Sequence, residues 1–529
     1  MAIGINNFIM YLNNGNYEND FKMFLNYLAD NKNNTTIIRD RDKIIVNEEI
    51  FIIFNESLKN KHFNFSDIVF NKTVTFQTNR ENGLEFNFEN TYFEKLNILN
   101  CDVDNIIFSG EINYIKESNI SECKIKGVTI NSNIEGDVKF QKCIFEDFNK
   151  YNSGKNIKFG ANFVFDFCET EDITNLMNFD FENRVSFKMS KFKNNIYFNN
   201  SYFKDYVDFH ECEFEKTACF YGVTFDKTPN FSQTIFKGNL NIVNANLNFD
   251  FKSLENKIEE EYKAYNHIKH NDNLCYIKRF FKYLLSLFNK TFEDAEKYQK
   301  PLPHFANDFR DSFRIFKNTL IKDNNLLDAS KFHRCELYCK ELELDSKKTK
   351  TLKDKVEKWQ LWFYRKLCDH HTDILQSFHS LMLVIGLFGL MGFGVITGFN
   401  YYYLGYKPIF SHLYVAKEIY DAHIQTFIKT HTLYTFAFNF FILAFYLGIL
   451  VYLISAKCLR RLFIGISYVV VICILLVSPK ILIPAMGIFT DKRALLDPLS
   501  TLGGIYTICF GFVLFSFIKT IRKNSIVPN

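Results

Sequence analysis

Six consecutive blocks of eleven residues cover 185–250 without a gap: VSFKMSKFKNN, IYFNNSYFKDY, VDFHECEFEKT, ACFYGVTFDKT, PNFSQTIFKGN and LNIVNANLNFD. The third place holds Phe187, Phe198, Phe209, Phe220, Phe231 and Ile242, and the eighth holds Phe192, Phe203, Phe214, Phe225, Phe236 and Leu247. Two residues before the eighth place stand Ser190, Ser201, Cys212, Val223, Thr234 and Ala245, all small. A period this regular decides the architecture before any local propensity does.

Parity then selects the conformation. Places one and three are both mostly apolar; on an α-helix they would point about 200° apart, whereas on a strand they share a face. Places three and eight differ by five, so a straight strand would send them to opposite faces. The chain must turn a corner between them, as between Phe209 and Cys212. Repeated corners with the apolar residues kept inside make a polygonal coil, and successive coils stack about 4.8 Å apart through backbone hydrogen bonds.

These residues resemble the pentapeptide-repeat family, whose five-residue unit has a large apolar residue at its centre and a small one two positions earlier. The resemblance implies an all-β right-handed quadrilateral β-helix. Eleven residues per pair of units, instead of ten, loosens one corner per pair. A strict five-residue step also runs through Phe88, Phe93, Ile98, Val103 and Phe108, then Ile115, Ile120, Ile125 and Ile130 in another frame. Phe140 and Phe145 repeat the rule behind Val138 and Cys143. The phase is broken between about 146 and 184, which reads as a bulge or looped-out insertion. The rod over 61–250 should hold roughly nine coils and stand about 40 Å tall.

Such a core accounts for 61 Phe against only 2 Trp. The repeat-core residues Phe187, Phe192, Phe198, Phe203, Phe209, Phe214, Phe220, Phe225, Phe231 and Phe236 are structural. Cys143 and Cys212 fall at small inward places and are expected to be inert core thiols. In the block VDFHECEFEKT, Asp208, His210, Glu211, Glu213 and Glu215 are expected to face outward. Some soluble pentapeptide-repeat proteins mimic DNA through an acidic surface. Here 185–250 holds seven acidic residues and seven Lys, so neither DNA mimicry nor nucleic-acid binding is supported. The thirteen Cys lack framework spacing. With no secretory signal at the start, they read as thiols of a reducing compartment.

The chain before the rod, 1–60, reads as a mixed α/β cap, with a strand pair in DKIIVNEEIFIIF. After it, 251–378 is helical and charged, with 307–323 and 324–346 as a helical hairpin. This segment resembles the linker of membrane-bound bacterial pentapeptide-repeat proteins. Cys335 and Cys339 share a helical face, and Cys368, His370 and His371 follow, so these are the weak candidates for a metal site, although their spacing is not that of a zinc knuckle. No cofactor is called for. Both Trp residues, Trp359 and Trp362, lie three apart after the Lys-rich KKTKTLKDK, a composition suited to the membrane interface. Packing of the same pair inside the helical collar is the competing reading.

From 379 to 529 the chain reads as an α-helical transmembrane domain with spans near 381–399, 433–455, 462–478 and 499–518. The third is the least regular and could break at Pro479. Lys457, Arg460, Arg461, Lys519, Arg522 and Lys523 flank the spans on one side, while 400–432 carries only Lys407, Lys417 and Lys429. The positive-inside rule therefore places both termini and the rod in the cytoplasm, and the family resemblance implies that the membrane is a bacterial inner membrane.

Two functions from different classes fit these features. The first is a scaffold that shows a rigid rod to an unidentified cytoplasmic protein, with membrane lipid as the second partner and a homo-oligomer left open. The second is an ion channel or membrane-perturbing effector with the β-helix as sensor, suggested by Asn439 inside span two, the Pro-interrupted 479–489 and STLGGIY. Packing through Gly503 and Gly504 explains the last motif more simply. No phosphate loop, nucleophile elbow or His-Glu metal motif argues for an enzyme.

Overall fold

The computed structural model describes residues 3–4, 21–30, 36–54, 61–78, 83–151, 154–265, 300–402, 425–455, 457–477 and 497–522. The chain forms two compact units, Met1–Thr349 and Lys350–Asn529. The first contains a parallel β-solenoid of about nine turns.

Its period is set by two blocks. Phe192 pairs with Phe214 and Phe214 with Phe236, while Phe181, Phe203 and Phe225 form a second such series, every step spanning two blocks of eleven. The first two pairs of blocks each contribute four two-residue strands, as at 196–197, 202–203, 207–208 and 213–214, and in the third pair the first of these is a single bridge from Asn230 to Asp208. Inward rings follow the stack. Phe209 lies parallel to Phe187 at 5.0 Å and to Phe231 at 4.5 Å, and meets Phe220 of the opposite wall nearly edge-on at 5.6 Å. Offset and edge-to-face pairs suit the ring quadrupole, and each fully buried Phe contributes about 1.5–3 kcal/mol.

The corner required by parity has a definite chemistry. At place five of the six blocks Met189, Asn200, Glu211, Gly222, Gln233 and Asn244 all have left-handed backbone, φ between 53° and 66°. The amide of place six then bonds back to the carbonyl of place three, as Cys212 does to Phe209 at 3.1 Å. Positive φ at the third residue of such a turn is the type II signature and favours Asn and Gly. Asx side chains at place two brace the turn: Asp208 Oδ1 accepts from the His210 amide, Asn230 Oδ1 from Ser232 and Asn241 Oδ1 from Val243, at 3.0–3.1 Å.

Behind one corner the small places form a column, Cys101, Cys123, Cys143, Cys168, Ser190, Cys212 and Thr234, all buried. Cys212 Sγ, Ser190 Oγ and Thr234 Oγ1 each donate to a carbonyl of the preceding coil at 2.7 Å. Cys143 and Cys212 are indeed core thiols, and burial pushes the Cys212 thiol well up.

The phase break between 146 and 184 is smaller than the sequence suggests. Phe145 pairs with Thr170, so this coil is only three residues longer than the one from Phe192 to Phe214. The surplus leaves the stack near exposed Tyr151, and Phe159, Phe163, Phe165, Phe179 and Phe181 fill the core without interruption. In the region before the rod, α1 (Phe21–Asp30) precedes strands at Ile37–Asp40, Lys43–Val46 and Ile50–Phe54. The last two do not pair with each other; both lie parallel on the strand Ile68–Thr78, as two sides of one coil.

The other end of the solenoid is closed by helices. α2 (Phe251–Tyr265) is followed by α3 (Leu302–Lys322) and α4 (Leu326–Ser346), the last two forming a hairpin across Asn324. A terminal coil leaves backbone groups and aromatic rings without a next layer. Phe316 supplies the missing ring, edge-on to Phe231 at 4.6 Å. Asp328 accepts the Asn244 amide at 3.1 Å, and Lys331 Nζ donates to the Ala245 carbonyl at 3.4 Å, standing in for the absent strand.

The second unit begins with α5 (Leu352–Cys368), opened by a Thr351–Asp354 capping box, and continues through α6 (Ile374–Tyr402), α7 (Gln425–Thr430), α8 (Thr432–Ser455), α9 (Lys457–Val477) and α10 (Pro498–Ile521). Segments 374–395, 432–455, 459–476 and 498–521 are long and apolar enough to cross a membrane. The suggested break at Pro479 and the stretch 479–489 lie outside the described residues. Phe388 stacks on Tyr506 at 4.1 Å, and the Tyr446 hydroxyl donates to the Val384 carbonyl at 3.2 Å. Close approach falls at Gly386, where an added Cβ would meet Ser467 at 2.3–2.6 Å, and not at Gly504, where it would meet nothing within 4 Å.

Candidate functional surfaces

On the solenoid the outer residues are tied coil to coil. Lys193 meets Glu171 at 2.6 Å, Lys204 meets Glu182 at 2.6 Å, Lys227 meets Asp205 at 2.6 Å, and Lys191 meets Glu215 at 3.0 Å. Exposed pairs of this kind contribute about 0–1 kcal/mol each. Their larger effect is local neutrality, which leaves no acidic or basic stripe along these faces.

One expected outward residue is not at the surface. Asp208 is fully buried, although place two should alternate outward. Lys188 pairs with it at 3.0 Å and Asn230 donates to it at 3.1 Å. The flank beside it is covered by α2: Lys257 sits 3.6 Å from the ring centroid of buried Tyr206, Arg184 approaches the same ring at 4.8 Å, and Glu261 pairs with Lys257 at 3.0 Å and Arg184 at 3.6 Å. A cation held on an aromatic face and also paired with a carboxylate makes a small clamp. Tyr206 was open to detection, since place eleven otherwise holds only Asn, Thr and Asp. The other outward residues of that block stay accessible, with His210 Nδ1 2.7 Å from Ser232 Oγ.

Three exposed apolar residues of the solenoid fall together at one corner. Phe167 and Met189 occupy the left-handed place in adjacent coils, joined by the Phe167 amide donating to Lys188 O at 2.8 Å, and are 52% and 43% exposed. Ile144, paired with Glu169 just beyond that corner, is also exposed. A bulky Phe in left-handed backbone costs about 1–2 kcal/mol, so packing inside the rod does not explain its presence.

The metal candidates are divided between the units. Cys335 and Cys339 are buried on α4 in the first. Cys368 ends α5 in the second, with its Sγ 3.4 Å from His371 Nδ1, and His370 is buried beside it. Among the described residues no group of three or more His, Cys, Asp or Glu is placed to hold a metal ion.

Around Cys368 lies a polar layer of the helical unit. His371 Nδ1 is 3.3 Å from both Ser516 O and Thr520 Oγ1, and burial, aided by Lys519, holds it neutral with its pKa down to about 4. Arg460 donates to the Lys366 carbonyl and to Ser380 Oγ, both at 2.9 Å; Gln376 donates to the Arg365 and Lys366 carbonyls at 2.9 and 2.8 Å. Cationic and amide donors thereby satisfy the C-terminal carbonyls of α5. The link that follows is tight, with Asp369, His370 and His371 all at positive φ. In the sequence Arg460 reads only as a topology charge; its role as a helix cap needs the fold.

The Trp pair sits on α5. Trp359 is more than half exposed and stacks on Phe363 at 5.4 Å, whereas Trp362 is half-buried. These features define a parallel β-solenoid protein with a helical region, four of whose helices are candidate membrane spans. Compared with protein-family models, curated proteins and solved structures, the chain matches none.

Proposed function

We propose that this chain is a multi-pass protein of the bacterial inner membrane that holds a rigid β-helix in the cytoplasm as a scaffold for a protein partner. The coils are read as right-handed and quadrilateral, of the pentapeptide-repeat type, on the strength of the large-apolar and small places in each block. Both termini are assigned to the cytoplasm from the Lys and Arg bordering the spans.

The observation that carries the reading is how the inward places are used. From Phe187 to Phe231 every place-three ring is packed in the core, leaving outer faces as the only interaction surface of these coils. The exposed corner of Ile144, Phe167 and Met189 is the surface best suited to a protein contact, because apolar groups there gain by burial. A photocrosslinker in place of Met189, in the full chain in its native membrane, should give a discrete protein adduct. Phe167→Asn keeps the left-handed corner and removes the apolar contact, so it should abolish that adduct. An unchanged adduct, or none under several growth conditions, would refute a scaffold working through this corner.

A channel is the alternative, favoured by the buried Asn439 of α8. Purified protein in planar bilayers should stay electrically silent; unitary currents lost on deleting 379–529 would replace the scaffold reading with this one.

A further inference from the structure

Leu352, Val356, Trp359 and Phe363 follow one another on α5 at steps of four, three and four, which places them on a single helical face. The two ends of that face have different surroundings. At the C-terminal end Phe363 packs on Phe512 of α10 at 5.7 Å, and Tyr364 meets the same ring at 6.0 Å. At the N-terminal end Leu352, Val356 and Trp359 are 81%, 58% and 56% exposed.

The depth of this face is set by its neighbours. Phe512 lies four residues, about 6 Å of helix rise, from Ser516 in the polar layer, on the apolar side of that layer. An amphipathic helix lying in a bilayer surface buries its apolar face about 5–10 Å below the headgroups. The helix is also held in one pose, through the Arg460 and Gln376 bonds to its last carbonyls and the left-handed link after it.

The charges around the stripe have one sign. Lys353 and Lys355 flank it on opposite sides and Lys358 lies further round, with Lys347, Lys348 and Lys350 just upstream. Lys347 is paired with Glu343 at 3.9 Å, and against Lys350, Lys353, Lys355 and Lys358 stand Asp354, engaged in the capping box, and Glu357. Long Lys stems can follow an apolar surface while the ammonium reaches its edge, and Trp favours the same boundary.

We propose that α5 is a docking helix for anionic phospholipid, with Leu352, Val356 and Trp359 in the acyl boundary and Lys353, Lys355 and Lys358 against negatively charged headgroups. This rests on the reading that the four long helices cross the membrane. Each Lys near an anionic surface favours such lipid by up to about fivefold.

The chain has only two Trp residues, both on α5, so its tryptophan fluorescence reports this helix alone. The full chain is reconstituted in mixed phosphatidylcholine and phosphatidylglycerol vesicles in which one lipid or the other carries brominated acyl chains. Brominated phosphatidylglycerol is expected to quench severalfold more effectively than brominated phosphatidylcholine. In the K353Q/K355Q/K358Q variant that preference should vanish while quenching itself persists. Equal quenching by both lipids in the unsubstituted chain overturns the anionic preference, and preference surviving in the variant overturns the lysine assignment. Absence of quenching in a chain that resists carbonate extraction overturns the docking helix while leaving the membrane reading intact. Release by carbonate would instead refute the membrane reading itself, and this inference with it.

Discussion

The ammonium of Lys257 stands 3.6 Å from the ring centroid of Tyr206, so a helix that follows the last coil is anchored to a residue of the second eleven-residue block. Without the aromatic face, Lys257 and Arg184 lose their shared platform. Tyr206→Leu keeps an apolar residue in place and should weaken docking of α2 by about 1–2 kcal/mol. Hydrogen exchange should then quicken across 251–265 while the Phe-rich coils keep their protection. Uniform loss across the coils would show that Tyr206 supports the stack and not the helix.

Phe167 has φ of 58° and an exposed ring, so the backbone cost has no compensating burial within the rod. Asn tolerates that conformation, as Asn200 and Asn244 show at equivalent corners. Phe167→Asn should stabilise the solenoid by about 1 kcal/mol. A lower midpoint in denaturant would mean the ring contributes more to the fold than its exposure suggests.

Glu336 joins the terminal hairpin by accepting from Lys317 at 2.7 Å and lying 3.2 Å from His333. Burial pushes its carboxyl up, but those partners outweigh it and hold the pKa at about 2, below the usual 4.5. The folded state therefore gains from this carboxylate above pH 4.5, and the gain fades as pH falls from there through about 2. Glu336→Gln should cost about 1–3 kcal/mol at neutral pH and flatten the pH dependence in that window, as read by thermal unfolding in detergent. Equal slopes for the two proteins would assign the acid sensitivity elsewhere.

Gly386→Val puts a side chain against Ser467 where even a Cβ lacks room, and should destabilise the helical unit by about 1–3 kcal/mol. Gly504→Ala, with open space at its Cβ, should leave the melting midpoint in detergent unchanged. If both variants melt alike, α6 and α9 do not approach at Gly386.

The repeat was readable because one constraint, an apolar residue inside at every other strand place, writes itself into each block. Parity alone located the corner before Cys212, and its left-handed Glu211 follows from that turn. The surplus in the coil from Phe145 to Thr170 defeats a fixed-period alignment, yet a loop at Tyr151 absorbs it without disturbing the rings. Asp208 reads as outward in the sequence because what buries its flank comes from outside its block: Lys188 a coil earlier, Asn230 a coil later, and α2 beside Tyr206. The capping role of Arg460 is hidden for a related reason, since its partners Lys366 and Ser380 lie on α5 and α6, far earlier in the chain. Periodic contacts are local in pattern, whereas these contacts depend on where the chain returns.

The two-block register also makes the solenoid a ruler with fixed graduations. Removing 196–217 would take out one whole division, shorten the rod by about 4.8 Å, and bring the next coil into the same columns. Removing only 196–206 would rotate everything beyond it by half a coil, setting the Phe220 wall where the Phe209 wall had been. Length can thus change by duplication or loss of whole divisions while the outward faces keep their bearing, but a single block cannot be gained or lost without turning one side of the rod into the other.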